Sequence, residues 1–246
     1  MKMKAAIVFE QALPKPYAKS RAVTVDEVDL DGPGDTEILV RIVAAGVCHS
    51  DLSVVNGNRA RPVPLVLGHE GAGIVEEVGK LVHDVAVGDH VAFIFMPNCG
   101  ECLQCRAGRP SSCEQGNAAN AAGTLLSGTR RLAYKGKQLN HYAGVSCFAE
   151  YVTADHRSVV KLPKDIPLGV AAVFSCAVIT GVGAVVNTAK VPMGASVGVV
   201  GLGGVGLSAM LGAKAAGARQ VIGIDPVRSE EHTSELQSPC NLVCRL

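Results

Sequence analysis

Val197-Gly198-Val199-Val200-Gly201-Leu202-Gly203-Gly204-Val205-Gly206 is the stretch that decides how this chain is read. The apolar run Ala195 to Val200 stops at a glycine, and glycines spaced G-x-G-x-x-G lead into the apolar helical stretch Leu207 to Ala216. A second strand-like run, Gln220 to Ile224, ends in Asp225, 19 residues after Gly206. Alone, G-x-G-x-x-G is a weak signal; between a strand and a helix, with an acid at this distance, it reads as the phosphate-binding turn of a dinucleotide fold. Gly201 permits the tight turn, Gly203 lets the backbone approach a pyrophosphate, and Gly206 allows close packing of helix on strand. Gly204 and Val205 complete the turn just ahead of the helix whose N-terminus attracts the phosphates. Asp225 is expected to accept hydrogen bonds from the adenosine ribose and to repel a 2′-phosphate, which favours NAD over NADP.

Upstream, Cys99, Cys102, Cys105 and Cys113 stand in the spacing C-x2-C-x2-C-x7-C within a polar segment containing glycine and proline. Four thiols at these intervals can surround one zinc tetrahedrally, and a site closed by four protein ligands is structural. A disulfide lobe is disfavoured in a chain without a secretory signal, and an iron-sulfur cluster is the other occupant such spacing can hold. Further upstream, Ala45-Gly46-Val47-Cys48-His49-Ser50-Asp51 and Gly68-His69-Glu70-Gly71 each place one metal-binding side chain just past an apolar run, beside a turn glycine. A catalytic zinc takes three protein ligands and leaves one position open, so Cys48 and His69 call for a third, and Cys176 is the candidate. Taken alone, this pair is equally readable as a buried thiol and a satisfied core histidine.

The rest of the chain bounds the answer. With 246 residues, 48% hydrophobic content, 28 glycines and no tryptophan, the composition suits an Ala/Val/Gly-rich α/β enzyme. A formal charge of +1 with no basic cluster beyond Arg130-Arg131 gives no footprint for nucleic acid or an anionic membrane, so a small molecule is the expected partner. After Met1-Lys2-Met3-Lys4 only five apolar residues precede Glu10, too short a run for a secretory signal, which points to the cytoplasm. The apolar run Val170 to Val186 reads as a buried helix rather than a membrane span. Strand-like runs at Ala5 to Phe9, Val23 to Val28, Ile38 to Ala44, Gly73 to Val78 and His90 to Phe95 suggest a barrel-like region, with Cys48 and His69 at strand ends. Glu114 to Gly144 reads as a long loop or lobe, Val145 to Val152 as a β-like run carrying a plain thiol, Cys147, and the segment after Pro167 as two helical stretches with Cys176 at the break between them.

A zinc trio, a four-cysteine lobe and a dinucleotide turn, in this order from Lys4 to Asp225, resemble the zinc-dependent medium-chain alcohol dehydrogenases. The resemblance implies a fold and a site. The fold is α/β: a β-rich GroES-like catalytic domain over 1–177 with its structural zinc lobe at about 97–115, and the first part of a Rossmann NAD-binding domain over 178–227. Cys48, His69 and Cys176 would hold the catalytic zinc, with Glu70 and Asp51 in its outer shell. Ser50 would take the alcohol proton, His49 would touch the pyrophosphate, Thr180 would lie near the nicotinamide, and Phe95 and Tyr142 would line the substrate pocket. The product is an aldehyde or ketone, and the full-length enzyme is expected to be a homo-oligomer. A non-catalytic zinc-binding relative, a glutathione-linked hydroxymethyl (formaldehyde) dehydrogenase and a zinc-free reductase are the competing readings. One departure is Ser53, which stands where many relatives carry a relay histidine.

Arg228-Ser229-Glu230-Glu231-His232-Thr233-Ser234-Glu235-Leu236-Gln237-Ser238 fits no strand or helix period and looks like a translated sequencing adapter. The expectation is therefore a non-native tail over 228–246, a fragment inactive as written, and an unpaired strand edge at Ile222 and Ile224.

Overall fold

In the computed structural model, residues 1–226 and 241–244 are described, and the chain falls into two compact units, Met1–Ser175 and Cys176–Leu246. In the first unit the strand Lys2–Val8 buries Met3, Ala5 and Ile7 while alternate residues face outward, the period that one covered sheet face dictates. It joins Thr24–Leu30, Leu132–Tyr134, Lys137–His141 and Leu65–Val66 in a closed barrel. A five-stranded sheet runs in the order Val159–Leu162, His90–Phe93, Glu70–Val78, Glu37–Gly46, Tyr151–Asp155. Its core holds Ile38, Val40, Val75, Val91, Phe93 and Val152. Closure leaves no free edge on the five barrel strands.

One register in this sheet matters for chemistry. Glu37–Gly46 pairs antiparallel with Glu70–Val78 so that Gly46 stands opposite Glu70. Cys48, two residues past one strand, therefore meets His69, one residue before the other. A side chain at Gly46 would meet the Glu70 carboxylate and displace it from its present place.

The segment Glu114 to Gly144 is not a long loop. Glu114–Ala122 is a helix whose first turn is capped by the Cys113 sulfur accepting from the Gly116 N–H, and it ends at Gly123 with φ 68°. Leu132–Tyr134 and Lys137–His141 then form a hairpin whose turn residues Lys135 and Gly136 both have positive φ. Buried Glu37, the first residue of the strand Glu37–Gly46, ties the approach to this hairpin to the five-stranded sheet, accepting from Arg131 Nε at 2.8 Å and Ser127 Oγ at 2.7 Å. The β-like run at Val145 to Val152 is also displaced: the strand is Tyr151–Asp155, and Cys147 lies buried in the core ahead of it.

Leu168 to Thr188 is helical throughout, without the expected break; Phe174–Val178 adopts π turns instead. Only 33% of its apolar window is buried, less than the buried-helix reading implied, and Val170, Val173, Phe174, Ile179 and Val186 are exposed. Its 21 residues and mean hydropathy of 2.2 would suit a membrane span by length and composition alone, a test that core helices of soluble proteins also pass.

The second unit contains a parallel sheet ordered Ser196–Val200, Gln220–Ile224, Asn241–Cys244. The helix Gly204–Ala215 follows the first of these strands, and Leu202, Met210, Ala213 and Val221 form the core. The expected open edge is closed here: the backbone of 241–244 pairs with Val221–Ile224. A bare strand edge is a ready template for another extended segment. The remainder of the supposed tail, 228–240 and 245–246, lies outside the described residues.

Candidate metal centres

The four sulfurs of the cysteine lobe make a tetrahedron. Cys99–Cys105, Cys102–Cys105, Cys102–Cys113 and Cys99–Cys113 are separated by 3.9, 3.5, 4.0 and 3.6 Å. Metal-sulfur bonds of about 2.3 Å give tetrahedral edges of about 3.8 Å, so one zinc fits without rearrangement. Backbone N–H groups of Cys99, Cys102 and Gly116 point at sulfurs from 3.2 to 3.3 Å, stabilising negative charge there. Without a cation the sulfurs share protons unequally. The N–H groups of Cys105 and Glu114 hold Cys102 down to about 6, whereas burial and the neighbouring sulfurs push Cys105 up to about 12. A dication binding all four as thiolates removes that conflict. Arg157 anchors the lobe, donating from Nη1 to the Cys99 carbonyl at 3.2 Å while its fork grips buried Asp155 at 2.8 and 2.9 Å.

At the ends of the paired strands Glu37–Gly46 and Glu70–Val78, donor atoms of Cys48, His69 and Glu70 lie within 4.8 Å of one another. Asp51 organises them. Its Oδ2 accepts from the Cys48 N–H at 3.1 Å, its Oδ1 accepts from the Gly68 N–H at 3.2 Å, and Oδ1 also stands 3.2 Å from His69 Nδ1. The His69 ring is boxed edge-to-face by Tyr142 at 5.5 Å and Phe95 at 6.1 Å. Burial pushes the Tyr142 hydroxyl above its ordinary value, and nearby Arg59 and Arg61 oppose that rise. Ser50 is half-buried in the helix His49–Val55, and His49 is exposed at its start. The Ser53 hydroxyl donates to the His49 carbonyl at 3.0 Å, an ordinary bond within the helix.

In the second unit the glycine turn is formed as its spacing requires. Gly201 has φ 90°, and a side chain at Gly206 would strike the Gly201 carbonyl. Gly203 faces open space at the helix N-terminus. Asp225, buried, accepts from the Leu202 N–H at 2.7 Å and so braces the turn itself. Cys176 and Thr180 lie in the helical segment that opens this unit.

Residues 34–164 match the alcohol dehydrogenase GroES-like domain. The chain belongs to the medium-chain alcohol dehydrogenase family. Among solved structures it is 34% identical to an alcohol dehydrogenase zinc-binding domain protein from Burkholderia ambifaria, with a TM-score of 0.90 over 100% of this chain and 64% of that one. It is 33% identical to benzyl alcohol dehydrogenase from Acinetobacter calcoaceticus, with a TM-score of 0.87 over 99% of this chain and 64% of that one. A candidate zinc-binding dehydrogenase of Sinorhizobium meliloti, bound to NADP, is 26% identical with a TM-score of 0.75, over 100% of this chain and 62% of that one. The chain thus spans slightly under two thirds of the length of these relatives.

As in the family, a β-rich GroES-like domain with a cysteine lobe precedes a partial dinucleotide-binding fold. The sequence reading missed the bracing bond from Asp225 and the arginines beside Tyr142. The first has no sequence signal; the second was visible only as two cations between a helix and Pro62.

Proposed function

We propose that the protein carrying this chain is an NAD-dependent zinc alcohol dehydrogenase that oxidises an alcohol to an aldehyde or ketone. The observation that carries this reading is the Asp51–His69–Cys48 arrangement at the ends of two paired strands. When bound, zinc supplies Lewis acidity toward an alcohol oxygen, and NAD supplies the hydride acceptor.

Cys48, His69 and Cys176 hold that zinc in this reading. Ser175 Oγ donates to the Gly71 carbonyl at 3.0 Å, which ties the residue before Cys176 to the strand that follows His69. Asp51 keeps His69 Nδ1 occupied, leaving Nε2 for the metal, and Glu70 stands behind the centre. Ser50 takes the alcohol proton. With the Ser53 hydroxyl bonded to its own helix, the onward route is solvent or exposed His49. His49 and Thr180 are assigned to the pyrophosphate and the nicotinamide, and Gly201, Gly203, Gly204, Val205 and Gly206 to the phosphate turn. The Asp225 carboxylate beside that turn disfavours a 2′-phosphate, so NAD is assigned rather than NADP. We assign residues 1–177 to the catalytic domain and 178–227 to the start of the NAD domain, in a cytoplasmic homo-oligomer.

Metal analysis and an alcohol-dependent NAD reduction assay on the full-length protein test this reading. Two zinc atoms per subunit and NADH formation without added glutathione are expected. A single zinc with no turnover would point to a non-catalytic relative, and strict glutathione dependence to the hydroxymethyl substrate class. Asp225→Ser should lower the preference for NAD over NADP; an unchanged ratio would confine Asp225 to bracing the turn.

A further inference from the structure

The segment from Tyr142 to Phe148 lies against the Cys48–His69 centre in an uncommon backbone conformation. Ala143, Gly144 and Ser146 all have positive φ, at 58°, 65° and 61°. Two of these carry side chains, and such a residue in the left-handed region costs energy and persists only where its surroundings fix it. The Tyr142 ring packs edge-on to the His69 imidazole at 5.5 Å, and its hydroxyl donates to the Ser50 carbonyl at 3.3 Å. Ser146 Oγ accepts from the Tyr142 N–H at 2.9 Å and donates to the Val66 carbonyl at 2.9 Å. The Cys147 and Phe148 N–H groups donate to the carbonyls of Gly68 and Leu67 at 3.1 and 3.0 Å. A shift of this segment therefore moves the turn that carries His69.

The helix Glu114–Ala122 holds the segment from outside. Asn120, on the helix face buried with Gly116 and Ala119, accepts from the Ala143 N–H through Oδ1 at 3.2 Å. Ala143 is 4% exposed, so without that oxygen a buried N–H loses its partner. The same helix begins at the cysteine lobe, where Cys113 Sγ, one corner of the sulfur tetrahedron, accepts from the Gly116 N–H at 3.2 Å. Beyond its far end the His141 N–H donates to the Gly123 carbonyl at 2.9 Å. Pro97, two residues before Cys99, adjoins both the helix and the segment. A side chain at Gly116 would strike the Pro97 carbonyl, and one at Gly144 would stand 3.1 Å from Pro97 Cγ. A continuous path thus runs from a lobe thiol through one helix and one amide side chain to the ring against His69.

We propose that Asn120 is a positioning residue that holds Tyr142 against His69 and couples the Cys48–His69 centre to the metal state of the cysteine lobe. The proposal rests on the reading of both clusters as metal centres and goes beyond it by joining them.

The test uses the full-length protein with zinc in the lobe and cobalt(II) in the Cys48–His69 centre, where visible d–d bands report ligand geometry. Asn120→Leu keeps the volume and removes the acceptor, whereas Asn120→Asp keeps the acceptor. The first should shift the cobalt bands and speed cobalt loss to a chelator by about tenfold to a hundredfold, the effect typical of outer-shell partners of metal ligands, with lobe zinc still held. Asn120→Asp should restore the bands and release rate of the parent. Unchanged bands and release in Asn120→Leu, or equal changes in both variants, would reduce Asn120 to a merely structural residue and overturn the proposal. Hydrogen exchange in the unaltered protein decides the coupling even if a variant does not fold. Preparations without lobe zinc should exchange the 142–148 peptide faster while the strand Thr24–Leu30 stays protected. No difference, or equal quickening of both, overturns the coupling. If cobalt does not enter the Cys48–His69 centre, the metal reading of that centre fails, and the exchange comparison still decides the link from lobe to Tyr142.

Discussion

Asp51 Oδ1 stands 3.2 Å from His69 Nδ1, and both side chains are 4% exposed. The pairing chooses the imidazole tautomer: Nδ1 donates to the carboxylate, and Nε2 is left as the lone-pair donor for a metal. The same carboxylate takes the Cys48 and Gly68 backbone N–H groups, so one buried acid orients both ligand-bearing turns.

Asp51→Asn should therefore weaken zinc at this centre about 10- to 100-fold. The cysteine lobe should keep its zinc. Competition with a chromogenic chelator would show one of two zinc atoms released early; simultaneous release of both would mean that Asp51 acts only through global stability.

The lobe depends on Arg157, whose removal strands Asp155 as a buried charge and frees the Cys99 carbonyl. Breaking one partner of a fully buried pair costs about 3–5 kcal/mol, and because the Arg157 side chain is 33% exposed the loss here should fall below that range. Arg157→Met should lower the urea midpoint and speed zinc release from the lobe. A midpoint within error of the parent protein would show that the pair contributes nothing net.

His141 gives the acid limb of stability a definite sign. Burial pushes its ring down to about 4, and it accepts from the Arg131 N–H through Nε2 at 3.1 Å. Its folded value lies below the unfolded value of about 6.5, so between the two the unfolded chain binds more protons. Stability is full above about 6.5 and falls by about 3 kcal/mol as pH drops toward 4. Glu37, held below its usual range because its backbone and side-chain partners outweigh burial, acts in the same direction but only further into acid. His141→Gln keeps an acceptor and should flatten denaturation midpoints between pH 6.5 and 5. An unchanged slope would place the acid sensitivity elsewhere.

The glycines of the phosphate turn should separate into two kinds. Gly206→Ala collides with the Gly201 carbonyl and should destabilise the second unit, whereas Gly203→Ala meets open space and should leave its melting temperature within a degree or two. Both should weaken NAD binding, Gly203→Ala because the added methyl occupies the approach of the pyrophosphate. Fluorescence titration with NADH beside thermal melts checks the contrast; equal losses of stability would contradict it.

The sequence determined what short-range chemistry determines. The spacing of Cys99, Cys102, Cys105 and Cys113 sets which thiols can reach one ion, because a closing loop of that length allows few other arrangements, and the observed sulfur tetrahedron follows. The strand, glycine turn and helix from Val197 to Ala215 are likewise local, decided by apolar runs and by where φ must be positive. Tertiary structure decided the rest. Glu114 to Gly144 lacks a strong period because its helix is capped by a cysteine sulfur and its hairpin is held by distant Glu37, neither of which a sequence window contains. Opposition of Gly46 and Glu70 brings Cys48 to His69, and that register comes from burying one face of a whole sheet.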